Sequence, residues 1–231
     1  MNENLFITLF ILLLFSPVIY QWYLLLKERK NKKILKKLLK FIKYSFLILI
    51  FTSIILGLLS HTNFLDYEKP ITYDKYDQIT FKNFRGLEFF KKSLYGNKRF
   101  AYVVTSINTN IDNDSITIES LFHPSRSFVY KKSTNSKELL THEKYHIKIT
   151  ELFVRKAKEK IYNLNIFNRN KIEEIIKEMK ENERAFQKEY DYNTFHSYVL
   201  SEQKKYEKEV DSLLTLLTIF KKPKISINDK N

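Results

Sequence analysis

Two stretches of the chain are apolar with no charged position, and the rest alternates between apolar and polar. Residues 5–26 read LFITLFILLLFSPVIYQWYLLL, 22 positions without a charge. Residues 44–60 read YSFLILIFTSIILGLLS, and Phe41 and Ile42 extend that run past Lys43. A bilayer core takes about 20 apolar residues as a helix, so both runs predict transmembrane helices. Pro17 is tolerated inside such a helix. Trp22, Tyr20 and Tyr23 suit one membrane interface, and Tyr44 suits the same side.

Between the runs lies KERKNKKILKKLLK, residues 27–40. With Lys43 it carries all nine basic residues of the first 60, against two Glu. Loops rich in Lys and Arg stay in the cytoplasm. The expectation is a hairpin in the cell membrane, multi-pass, with residues 61–231 extracytoplasmic. The basic loop then meets anionic headgroups of the lipid bilayer. The start, MNEN, has no basic region, and no small-residue cleavage site follows, which favours an anchor over a cleaved signal peptide.

Beyond residue 60 the pattern changes twice. A polar linker over 61–75 leads to short β-like runs at 78–81, 99–107 and 115–122. The last two flank NTNIDND, a turn-prone stretch, and predict a β-hairpin. After Ser136 the period becomes helical, with helices near 136–166, 171–190 and 197–220. Asn170 with Glu173 predicts the cap of the second. Its apolar stripe is Ile172, Ile175, Ile176, Met179, Phe186 and Tyr190. The predicted class is α+β: two N-terminal transmembrane helices, then a small β-sheet and three helices over 76–220, then a flexible tail at 221–231.

Composition narrows the function classes. The chain has no Cys, which removes disulfides, thiol catalysis and Cys-type zinc fingers. It has three Gly and no Gly-rich phosphate loop. The net charge of +14 suggests nucleic acid, but half of it sits in the first 60 residues. No nucleic-acid recognition motif accompanies the rest, so that class ranks last.

The remaining chemical signal is HEKYH, residues 142–146. At about 100° per residue from Leu139, His142 falls near 300°, His146 near 340° and Glu143 near 40°. Leu140, Ile147, Ile149, Phe153, Val154, Ala157 and Ile161 share that sector, while Lys144, Lys148, Arg155 and Glu159 point the other way. Imidazoles four apart on a helix are neighbours and can share one ion. Glu143 beside them is placed to take a proton from water activated by zinc. This makes His142 and His146 the metal candidates and Glu143 the catalytic one.

A catalytic zinc needs a third protein ligand. The H-E-x-x-H-x-x-G-x-x-H extension fails, because Ile149 and Leu152 stand in the required places. His196, in the segment after the second helix, is the first candidate, Asp191 the second and Glu183 the third. Glu151 falls near 120°, away from His142, and reads as supporting structure. Tyr190 and Tyr192 are possible oxyanion donors. His61 and His123 read as structural.

Four ordered blocks carry a family resemblance: ITFKNFRG at 79–86, LFHPSRSFVYKK at 121–132, the HExxH stretch, and KEYDYNTFHSYVLSEQKKYEKEV at 188–210. On these the chain resembles the domain-of-unknown-function 922 family of bacterial predicted secreted zinc-dependent proteases, over roughly residues 75–215. The resemblance implies a zincin-like HExxH helix and a zinc cofactor. The Phe-Asp that usually follows the family's HExxH is Ile147-Lys148 here. The combined expectation is a membrane-anchored zinc-dependent hydrolase, a metallopeptidase acting on protein or peptide. The alternative is a non-catalytic, zinc-stabilised binding module at the membrane surface.

Overall fold

The computed structural model describes residues 3–28, 30–61, 66–86, 101–112, 115–130, 136–164 and 168–226. The chain is mixed α and β, mostly helical with small sheets, and divides into two units, 1–62 and 63–231. In the first unit, helix α1 (Glu3–Lys27) is followed by α2 (Lys32–His61). Asn31 starts α2, its side-chain oxygen accepting from the backbone N–H groups of Lys33 and Ile34. Gln21 and Ser45 bond across the pair at 2.9 Å. Among the described residues one stretch, Lys32–Leu59, is long and apolar enough to cross a membrane.

The second unit is built on strand β4 (Ser115–Phe122), antiparallel to β3 (Thr105–Ile111) along its length. The other edge of β4 is shared by β1 (Ile71–Thr72) at one end and β6 (Lys224–Ser226) at the other. A second two-stranded sheet joins β2 (Ala101–Tyr102) to β5 (Phe128–Val129). Alternation along β4 buries Ile116, Ile118, Ser120 and Phe122. Against that sheet lies α3 (Lys137–Tyr162), capped by the Ser136 hydroxyl, which accepts from Leu139 N–H. Helices α4 (Arg169–Thr194) and α5 (Leu200–Leu216) cover the rest of α3. Ile149, Leu152, Val154, Ile161, Ile172, Met179 and Val210 fill the core between them.

Several expectations need correction. Residues 78–81 are not a strand: Gln78 ends a 3-10 helix (Tyr73–Gln78) and Phe81 starts another (Phe81–Asn83). The Thr80 hydroxyl accepts from Lys82 N–H while Thr80 N–H donates to Asn83, and this local capping overrides β propensity. Of the 99–107 run, residues 99 and 100 lie outside the described residues, and the remainder divides between β2 and β3. The expected turn is narrower, since β3 continues to Ile111 and Asp112 N–H already meets Ser115 O. The cap of α4 is Asn168, two residues before the expected one, and that helix runs four residues beyond the expected end. The expected linker already holds β1, and the expected loose tail holds β6, whose Ile225 is buried. Residues 227–231 lie outside the described residues. Arg155 is buried because α5 covers the far face of α3; its guanidinium donates to Glu151 and to Leu214 O.

Candidate metal centre

Helices α3 and α4 run antiparallel, and their polar contacts step down both helices together. His142 meets Asp191, His146 meets Gln187, and Thr150 meets Glu183. Each step is four residues, one helical turn, on both partners. The apolar stripe of α4 is thus interrupted at one turn's spacing by the groups that face the α3 histidines.

The first rung gathers the ligating atoms. Asp191 Oδ1 lies 3.1 Å from His142 Nε2, 3.0 Å from His146 Nε2 and 3.4 Å from His196 Nδ1. The two α3 imidazoles stand 3.3 Å apart, Nε2 to Nε2. His142, Asp191 and His196 offer one ligand atom each within 4.8 Å of one another. Zinc–ligand distances of about 2.0–2.1 Å put tetrahedral ligand atoms about 3.3–3.4 Å apart. The His142–His146–Asp191 triangle has nearly that spacing.

The outer nitrogens show which way the rings are protonated. Thr194 donates its hydroxyl to Tyr190 O at 2.7 Å, so its oxygen can only accept from His142 Nδ1, at a long 3.5 Å. Gln187 spends its amide N–H groups on His146 O, Thr150 and Glu183, leaving its carbonyl oxygen for His146 Nδ1. Both Nδ1 atoms therefore carry protons, and both Nε2 atoms face the centre. Metal-binding histidines are oriented in this way by a partner on the other ring nitrogen. Tyr190 stacks on His142 at 4.6 Å and meets His146 edge-on, which locks both rings.

Electrostatics follows from burial and from the shared carboxylate. Burial holds His142 down to about 4, against the opposing pull of Asp191. Burial also disfavours charge on His146, but bonding to Asp191, with the charges of Asp191 and Glu143, pushes it up to about 9. Burial alone would raise the Asp191 carboxyl; hydrogen bonds from His142, His146 and His196 hold it far below the usual range. Glu143 is 2% exposed, and burial lifts it to about 7, with the Val103 backbone N–H and nearby imidazoles opposing.

His196 reaches the centre from an unusual turn. Phe195, His196 and Ser197 all have positive φ, 46°, 50° and 71°. A helix commonly ends on one such residue, usually Gly. Three in a row without glycine carry strain of about 1–2 kcal/mol each. His196 N–H bonds back to Asp191 O at 3.3 Å, tying the turn to the end of α4.

The structure brings together His142, His146, Asp191 and His196, while Glu143 is buried on the same helix and bonded to the Val103 N–H. Asp191 stands in the last turns of α4, where a loop was expected. Glu183 stays two turns away, bonded to Thr150 and Gln187. Glu151 accepts from Ser120 and Arg155. Tyr190 packs under the rings, whereas Tyr192 is exposed. His61 ends α2, and His123 pairs with Asp66. Gln187, Thr150 and Thr194 were missed from sequence; the four-residue spacing of 183, 187 and 191 against 142, 146 and 150 was the available signal. Comparison of the chain with family models, with curated proteins and with solved structures gives no match.

Proposed function

We propose that the chain is a membrane-anchored zinc-dependent hydrolase, metallopeptidase in class, with its active domain outside the cytoplasm. The observation that carries this reading is the pair of Nε2 atoms turned toward one carboxylate oxygen while each Nδ1 is held by Thr194 or Gln187. Unprotonated, those atoms would set lone pairs against one another at about hydrogen-bond distance, an arrangement that needs a proton or a cation between them. The donor set of imidazole nitrogens and a carboxylate oxygen suits zinc. His142, His146 and Asp191 would hold the ion, with His196 beside them. A zinc ion there acts as a Lewis acid on a carbonyl and on water.

Glu143 supplies the proton traffic. Burial raises its carboxyl to about 7, a value that would suit a group that takes and returns a proton at neutral pH. The Val103 N–H bonds to it and fixes its orientation. Gln187 and Thr194 keep the imidazoles in register, and Tyr190 excludes water beneath them. The four sequence blocks read as resembling the domain-of-unknown-function 922 family would imply the same chemistry, although no family model matches the chain.

The second reading, a non-catalytic zinc-stabilised module, is favoured by one observation: four protein donors gather here, and structural zinc sites are closed by four. Glu143→Gln in the full-length chain in detergent separates the two. The hydrolase keeps zinc and loses about a hundredfold or more in cleavage of a mixed peptide library. Equal cleavage by the Gln variant rejects the hydrolase and leaves the module.

The anchor is read as two spans, α1 and α2, because residues 5–26 carry no charge and the basic residues concentrate between the runs. Protease added to intact spheroplasts then digests residues 61–231. Digestion only after lysis contradicts this topology.

A further inference from the structure

We propose that His196 is a displaceable fourth ligand, which closes the metal centre when its turn is held left-handed and opens it when the turn relaxes. The proposal rests on the zinc reading above and concerns how that site is regulated. A catalytic zinc takes three protein ligands and keeps one position for water or substrate, whereas four protein ligands close the site. Three imidazoles lie within 3.4 Å of Asp191 Oδ1, so an ion that drew in all four groups would be closed, and one of them would have to leave for chemistry to occur.

The four are not held alike. His142 is fully buried, stacked on Tyr190 and bonded to Thr194. The side chain of His146 is 9% exposed and gripped by Gln187. Asp191 lies within a 26-residue helix. His196 lies beyond that helix, its side chain 47% exposed, its ring centroid 6.2 Å from that of His142. Its Nδ1 is 3.4 Å from Asp191 Oδ1, close to the spacing of two ligands on one tetrahedral ion.

The turn supplies the means. Strained backbone persists only where surroundings over-determine it, and it clusters at ligand clamps and switches. Phe195, His196 and Ser197 have positive φ without a glycine among them. Phe195 and Tyr198 beside the histidine are exposed and touch each other at 5.9 Å. Relaxation of the turn would carry the His196 imidazole away from the centre and leave its position on a bound ion open to water.

The test uses the full-length chain in detergent, with cobalt(II) in place of zinc, followed by visible absorption and water-proton relaxation. His196→Ala is expected to keep the ion with about tenfold weaker affinity, shift the cobalt absorption and raise water relaxation, because water replaces one imidazole. Phe195→Gly with Ser197→Gly, which relieves two of the three strained positions and leaves His196 in place, is expected to do the opposite: tighter cobalt binding and lower water relaxation. Unchanged absorption and relaxation in His196→Ala overturn the proposal, since His196 is then no ligand. Loss of the ion as complete as in His142→Ala also overturns it, since His196 is then obligatory. Equal cobalt uptake by wild type and His142→Ala defeats the zinc reading itself and this proposal with it.

Discussion

Two histidine–aspartate clusters lie in the second unit, and their difference separates a structural pair from a candidate metal centre. At His123 every polar atom has its own partner. Nδ1 meets Asp66 Oδ2 at 2.6 Å, Nε2 meets Ser106 Oγ at 2.7 Å, and the other Asp66 oxygen accepts from Ser125 at 2.6 Å. Burial would raise the Asp66 carboxyl, but the bonds from Ser125 and His123 hold it below its ordinary value. At His142 the partners are not shared out. Three imidazoles converge on one oxygen, Asp191 Oδ1. Distributed partners tie a segment down, whereas convergent ones leave a centre that a cation can fill.

The largest break in this contrast comes from Asp191→Ala. Removing the oxygen common to all the contacts is expected to weaken zinc binding on the order of a thousandfold, measured by chelator competition. A change below tenfold would show that the imidazoles bind without it. The pH dependence sharpens the same point. His146 is raised to about 9 and must lose its proton to bind zinc. Zinc affinity should therefore fall about tenfold for each pH unit below about 9, with one proton released per ion. For the ion-free fold the sign is reversed. A raised histidine contributes stability below its unfolded pKa of about 6.5, and that contribution is lost as pH rises through about 9. The melting temperature gained on adding zinc should thus widen from pH 6.5 to 9, and a constant gap contradicts the assignment.

Gln187→Ala acts one step further out. It removes the partner of His146 Nδ1 without touching the centre. A loss of about 10–100-fold in zinc affinity is expected, with the fold retained by circular dichroism. Smallest of all at the metal is His123→Ala, which should leave zinc affinity unchanged. It should lower the stability of the second unit by about 1–2 kcal/mol, read from denaturant midpoints, because Ser106 and Asp66 lose a partner. Lost zinc in that variant would erase the distinction between the two clusters.

The inward-facing histidine pair on α3 was legible because it is local. HEKYH sits in one helix, and its inward face follows from period alone. His123 and His61 were read as structural from position, and His123 does have a full set of partners. Asp191 was harder to place. Sequence rules end a helix near Gly, and α4 instead ends on Phe195 in a left-handed conformation, with the Thr194 hydroxyl bonded back to Tyr190 O. The burial of Arg155 was hidden for another reason. An amphipathic projection assumes one solvent face, and α3 is covered on its far side by α5, where Glu151 and Leu214 O take the guanidinium. Strand β6 was illegible because LysIleSer has little pattern of its own and gains its order from the edge of β4.

The central claim is that the convergent cluster holds zinc and the distributed one does not. Its most direct test is the metal content of the full-length chain purified in detergent, measured by elemental analysis beside His142→Ala and His123→Ala. One zinc per chain is expected in the wild type and in His123→Ala, and none in His142→Ala. Zinc at background in the wild type, or equal zinc in all three, would contradict it.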